Sequence, residues 1–286
     1  MTHDSSDCST PLPAPTPGDA VPDDLRGFAH AAADRVTRLR GELDTASHES
    51  RVWHGLAAYR DRGWWCHLYG LFEREAAFFI HLRAAGHPGI PLLEALCRNA
   101  RTEADRVVSD MPRRMDAAAA ERDLPLDRDR SMHPKYFFHD GFFTVEIDER
   151  KQLARVRDNE GKLRDLPADP EAVAEFLLHE DVRVFGRKFN GGQFLKKLRK
   201  AYLAVLKSEK KPDQSPVPLR RLGRQLRCRM DEFIIDVSTL AAKGPLVTGG
   251  LKLQLQQSKD TEDGVLLYGP AGRGMVNLVI FQEETV

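Results

Sequence analysis

From residue 24 onward apolar residues return every three or four positions, as Leu25, Phe28, Ala32, Val36, Leu39 and Leu43. That period predicts an amphipathic helix with one apolar stripe. A second helical stretch is expected over residues 53–85, with a break at Arg62-Gly63. It carries Trp64, Trp65, Leu68, Leu71, Phe72, Phe79 and Ile80, and Gly86-His87-Pro88-Gly89 stops it. A third begins at Pro91, a favoured first-turn residue, and runs on through Leu92, Leu96, Ala100, Ala104, Val107, Val108 and Met111. Short connections between long helices favour antiparallel neighbours, so residues 23–125 are expected to form a helical bundle.

The period then drops from 3.6 to 2. Residues 135–139, an Asp140-Gly141 turn, residues 142–148 with Phe143, Val145 and Ile147 alternating against Thr144 and Glu146, and residues 152–157 predict a three-strand meander. Asp158-Asn159-Glu160-Gly161 closes it. Asp169-Pro170 starts a helix through Val173, Phe176 and Leu177, and residues 182–185 are β-prone. Residues 131–190 are thus expected to form a small α+β module.

Beyond the Asn190-Gly191-Gly192 turn a helix places Phe194, Leu198, Tyr202, Val205 and Leu206 inward and Lys196, Lys197, Arg199, Lys200 and Lys207 outward. After Ser215-Pro216-Val217-Pro218 come a short helix over residues 219–227, with Leu219, Leu222 and Leu226 on one face, and a third over 231–242 that Lys243-Gly244-Pro245 ends. Two β-prone runs, 251–257 and 264–268, are joined by a polar turn at 258–263, and an apolar strand covers 275–281. Three helices followed by a β-hairpin resemble a winged helix over about residues 193–286. The likeness is one of architecture and brings no residue signature with it. The expected fold class is mainly α with α+β parts: a tail at 1–22 rich in Pro, Ser, Thr and Asp, a bundle, a meander-plus-helix module, and a winged-helix-like segment over 191–286.

Charge changes the picture most. The chain has 43 Lys and Arg against 43 Asp and Glu, yet residues 183–229 hold fifteen basic residues against only Glu209 and Asp213. A strip of net +13 therefore sits in a chain whose remainder is acidic to the same extent, which points to a polyanionic partner, duplex DNA first. The residues read as contacting a phosphate backbone are Arg187, Lys188, Lys196, Lys197, Arg199, Lys200, Lys207, Arg220, Arg221, Arg224 and Arg227. The bland alternative is a solvated face, or one paired to the acidic body. Near absence of interspersed acids weighs against it, since a merely solvated helix mixes signs for i,i+4 pairing.

The third helix of the winged-helix-like segment is the wrong one to read bases. In helix-turn-helix proteins the second helix of the motif offers Arg, Lys, Asn or Gln to base edges, whereas this one carries Asp231, Glu232 and Asp236. Either the first two helices and the hairpin touch DNA without regard to sequence, or the segment docks on protein, as do winged helices in subunits of chromosome-organising ATPase complexes. Protein partners are expected through residues 24–120 and 231–243.

An enzymatic alternative comes from the helix, three strands, helix and strand over residues 91–186. That order resembles the PD-(D/E)xK nucleases, with Asp140, Glu146 and Asp148 as metal-binding carboxylates. The match departs where it matters: Glu146-Ile147-Asp148 has Asp at the position of that family's Lys, and Glu149-Arg150-Lys151 falls in a turn. His133, His139, Trp64 and Trp65 read as structural, and Gly269-Pro270-Ala271-Gly272-Arg273-Gly274 lacks the Lys-Ser/Thr of a phosphate loop. Cys8, Cys66, Cys97 and Cys228 are too scattered for a zinc site or a disulfide framework. No membrane-length apolar run occurs and the start lacks a signal-peptide order, so a cytoplasmic location is expected. The leading expectation is a non-enzymatic nucleic-acid-associated protein with no cofactor. An adaptor subunit of a DNA-processing or defence complex comes second, and a nuclease third.

Overall fold

A computed structural model describes residues 23–257, 264–268 and 274–283. The expected tail at 1–22 and the turns at 258–263 and 269–273 lie outside them. The chain divides into two compact units after Ala57. The first is dominated by helix α1 (Asp23–Asp61), which extends four residues past the division. Residues 25–47 are exposed throughout, with Phe28 at 73% and Leu43 at 65%, so the stripe read from the sequence is present but unpartnered among the described residues.

In the second unit the break at Arg62-Gly63 is real, with Gly63 at φ +68°. Helices α2 (Trp65–Arg74), α3 (Ala76–Ala84), α4 (Ile90–Ser109) and α5 (Met111–Glu121) follow, the last two each opened by a proline in the first turn. The meander has four strands: β1 (Lys135–Phe138), β2 (Phe143–Asp148), β3 (Leu153–Asp158) and β4 (Gly161–Pro167), antiparallel in that order. β2 behaves as its alternation predicts, burying Phe143, Val145 and Ile147. β4 is invisible to the pattern because Leu166 alone is buried in it.

Helix α6 (Pro170–Phe185) runs through the residues expected to be β-prone. Val182 accepts the helical bond from the Gly186 amide at 3.0 Å, and Val184 fills the core on the helical face. Packing overrides β-propensity here. Aromatic side chains of β1 and β2, the inner faces of α4, α5 and α6, and Cys66 of α2 form one continuous core.

The remaining elements build a second core. They are α7 (Gly191–Glu209), β5 (Val217–Pro218), α8 (Leu219–Leu226), α9 (Met230–Lys243), β6 (Val247–Thr248), β7 (Leu251–Gln256), β8 (Val265–Leu267), β9 (Gly274–Val276) and β10 (Leu278–Glu283). The expected pairing of β7 with the 264–268 run is wrong. β7 pairs with β10 and β8 with β9, both antiparallel, in a sheet of order β5-β10-β7-β6 and a separate ribbon. The stretch 274–283 thus serves both partners, β8 along its first half and β7 along its second. That register brings Leu253, Val265, Val276, Val279 and Phe281 into one core, which a local hairpin would not do.

Helix α9 belongs to both cores. Ile235 points into the first, while Phe233, Ile234, Val237 and Leu240 fill the second.

Candidate polyanion interface

Helix α7 starts where Asn190 caps it, the side-chain oxygen accepting from the Gln193 amide at 3.0 Å, and ends at Lys210 in the left-handed region. Leu195, Leu198, Tyr202, Val205 and Leu206 are buried, and Phe194 is only partly covered. At about 100° per residue, Lys196, Lys200 and Lys207 fall within roughly 40° of one another on the opposite side, and Lys197 stands further round. All four are exposed.

The structure sorts the eleven residues of the expected contact set into two groups. Four are spent within the molecule. Arg187 donates to Asp236 at 2.8 Å and to the Glu232 carbonyl at 3.1 Å. Arg199 grips both oxygens of Asp213, at 3.0 and 2.6 Å, with its guanidinium over the rings of Tyr202 and Phe281. Arg220 holds both oxygens of Glu160, at 2.5 and 3.1 Å. Arg221 pairs with Glu209, which Lys211 also meets. The hydrogen bond from Arg199 holds the Asp213 carboxyl below its ordinary range, as that from Lys211 does Glu209. The other seven, Lys188, Lys196, Lys197, Lys200, Lys207, Arg224 and Arg227, are exposed and meet no carboxylate among the described residues. Lys210, absent from the sequence-based set though it lies in the same run, is exposed and unpaired in the same way.

The acidic body therefore neutralises part of the strip, and α9 is where much of this happens. Arg183 of α6 donates to Asp231, to Glu180 at 2.7 Å and to Glu232 at 2.6 Å. Burial pushes the Asp231 carboxyl up, but hydrogen bonds from Arg183 and the Glu232 amide outweigh it and hold the group below its ordinary value. Burial wins at Asp236, which is raised despite Arg187. With α6 on one side and α7 and α8 on others, α9 has no broad face left for a groove or a partner. Within residues 231–243, positions 231–240 are largely covered by their own chain, and Ala241, Ala242 and Lys243 are exposed.

The carboxylates of the nuclease alternative are not brought together. Asp140 sits in a turn at φ +53°, and Asp148 is paired to Arg155 at 2.8 Å. Among the described residues no group of three or more His, Cys, Asp or Glu is placed to hold a metal ion. His133 hydrogen-bonds Tyr136 at 3.0 Å, His139 stacks on Phe185, and Trp64 lies under Arg62.

Comparison of the chain with protein-family models, with curated proteins and with solved structures returns no match. Among the described residues no helix is long and apolar enough to cross a membrane.

Proposed function

We propose that this chain is a non-enzymatic, cytoplasmic protein that holds a nucleic-acid phosphate backbone on the free face of α7, without reading base sequence. One observation carries the reading: Lys196, Lys200 and Lys207 share one exposed face with no carboxylate partner among the described residues, while Arg187, Arg199, Arg220 and Arg221 of the same strip are each clamped by an acid. Clustered lysines free of internal partners bind phosphates by releasing condensed counterions. Burial of α9 supports the second half of the proposal, because the helix that would enter the major groove is occupied. The order α7, β5, α8, α9, β7, β10, with β10 between β5 and β7, supports a winged-helix-like reading of residues 191–283.

The test is binding of the full chain to mixed-sequence duplex DNA over a salt series. Lys196→Glu, Lys200→Glu and Lys207→Glu together are expected to abolish binding with the fold intact. Single changes to Gln are each expected to lower the salt slope by about 1. Selection from a random DNA library is expected to yield no consensus. Wild-type protein that fails to bind at roughly 50 mM salt overturns the proposal.

A second reading, an adaptor that docks on protein, is favoured by the uncovered stripe of α1. There Val36→Glu with Leu43→Glu should break a partner complex that the lysine changes leave intact.

A further inference from the structure

A cavity of about 480 Å³ opens between α2, α4 and the turn from β2 to β3. Its charge is unlike that of the surrounding surface. Arg74 from α2, Arg101 from α4, and Arg150 and Lys151 from the turn all line it, and none of the four side-chain cations meets a carboxylate among the described residues, although the Lys151 backbone amide donates to Asp148 at 3.2 Å. Several arginines nearby are taken up by acids: Arg83 of α3 by Glu94 at 2.6 Å, Arg106 of α4 by Glu103 at 2.5 Å, and Arg114 of α5 by Asp110 and Glu171 at 3.7 Å. The cavity has two acids of its own, and both are engaged. Asp105 accepts from the Gln152 amide at 2.9 Å, which fixes the turn against α4, and Glu73 lies against the Tyr69 hydroxyl.

The geometry points to this cavity as a binding site for a phosphomonoester of mononucleotide size. Four cations against two carboxylates leave a net charge of +2 on its walls. A phosphomonoester, carrying about −1.5 to −2 at pH 7, matches that charge. Guanidinium groups suit it because their planar forks bond phosphate oxygens in pairs. A phosphate group alone does not fill the space, which lies within the roughly 300–1,000 Å³ of small-molecule sites. The rest of the ligand meets the Tyr69 ring, Leu153, Pro167 and the bare backbone at Gly70.

Cys66 lies at the cavity wall, but burial and the neighbouring Asp169 carboxylate push its thiol far up, so it stays protonated and offers no nucleophile. These residues share no position with the lysine face of α7, and the inference stands apart from the proposed function.

Calorimetric titration of the full chain with adenosine 5′-monophosphate, adenosine and inorganic phosphate tests it. Saturable binding of the monophosphate with Kd below about 1 mM is expected, weaker binding of phosphate, and none of adenosine. Affinity should rise between pH 5.5 and 7.5, as the phosphate loses its second proton near pH 6. Arg101→Glu with Arg150→Glu should weaken binding at least about tenfold. Arg150→Gln with Lys151→Gln, confined to the exposed turn, should weaken it in the same direction if the first pair perturbs folding. Lys196→Glu, Lys200→Glu and Lys207→Glu should leave it unchanged. Absence of saturable binding up to about 10 mM, equal binding of adenosine, or binding that both cavity variants leave intact overturns the inference.

Discussion

Replacing Arg183 by Met asks whether the guanidinium that three carboxylates share is structural. The side chain is 19% exposed and joins α6 of the first core to α9 of the second. Its removal leaves Asp231, 4% exposed, with Arg229 at 3.4 Å and the Glu232 amide at 2.8 Å. Glu232 keeps Arg187 at 3.7 Å, and Glu180 keeps only His179 at 3.6 Å. Three acids then crowd one corner without their common counter-ion. Removing one partner of a buried pair costs about 3–5 kcal/mol. At about 2–4 °C per kcal/mol, Tm should fall by roughly 6–20 °C.

Adding Asp231→Asn to Arg183→Met should recover about 1–2 kcal/mol, because the most buried of the stranded charges is then gone. The pH dependence has a defined sign. Asp231 is depressed below its ordinary 3.8, so the stability it contributes is fully present above about pH 4 and is lost as pH falls through the lower folded value. The gap between wild type and Arg183→Met should therefore narrow below pH 4. Urea and thermal unfolding at pH 7, 5 and 3 measure all three effects. A cost under about 1 kcal/mol, the value of an exposed pair, or a gap independent of pH would falsify the reasoning.

Asp169 is fully buried and accepts from the Cys66 and His67 amides at 2.9 and 2.7 Å and from His67 Nδ1 at 2.7 Å, so Asp169→Ala should cost about 2–4 kcal/mol in chemical unfolding, more than an ordinary helix cap. Gly191→Ala would place a methyl 2.6 Å from the Gly244 carbonyl oxygen, and a loss of about 1–3 kcal/mol in Tm-derived stability is expected. Arg199→Ala should lower Tm by a few degrees, since the side chain is 14% exposed over two aromatic rings, yet change the DNA salt slope by less than about half of what Lys200→Gln does.

The elements legible in the sequence are those with a strong one-sided pattern. The breaks at Gly63 and Gly86, the alternation of β2 and the inward face of α7 all follow from local periods. What escaped depends on distant partners. Nothing near residues 182–185 reveals that Val184 meets the first core along a helical face, and nothing in the runs 251–257 and 264–268 shows that they pair with β10 and β9 rather than with each other. The basic strip was visible as composition, but which of its cations remain free was not, because Asp213, Glu160 and Asp236 come from other segments. The cavity at Arg74, Arg101 and Arg150 left no trace at all, being assembled from three separated stretches with no motif among them.

Because α9 has side chains in both cores, neither core can be removed without wounding the other. A fragment spanning residues 191–286 would expose Ile235 to water and strip Asp231, Glu232 and Asp236 of Arg183 and Arg187, leaving an acidic, sticky flank beside the lysine face. That flank would repel the polyanion that α7 is proposed to hold. The carboxyl-terminal segment is thus part of one compact unit, residues 58–286, and the proposed phosphate binding is best measured on the full chain rather than on a fragment.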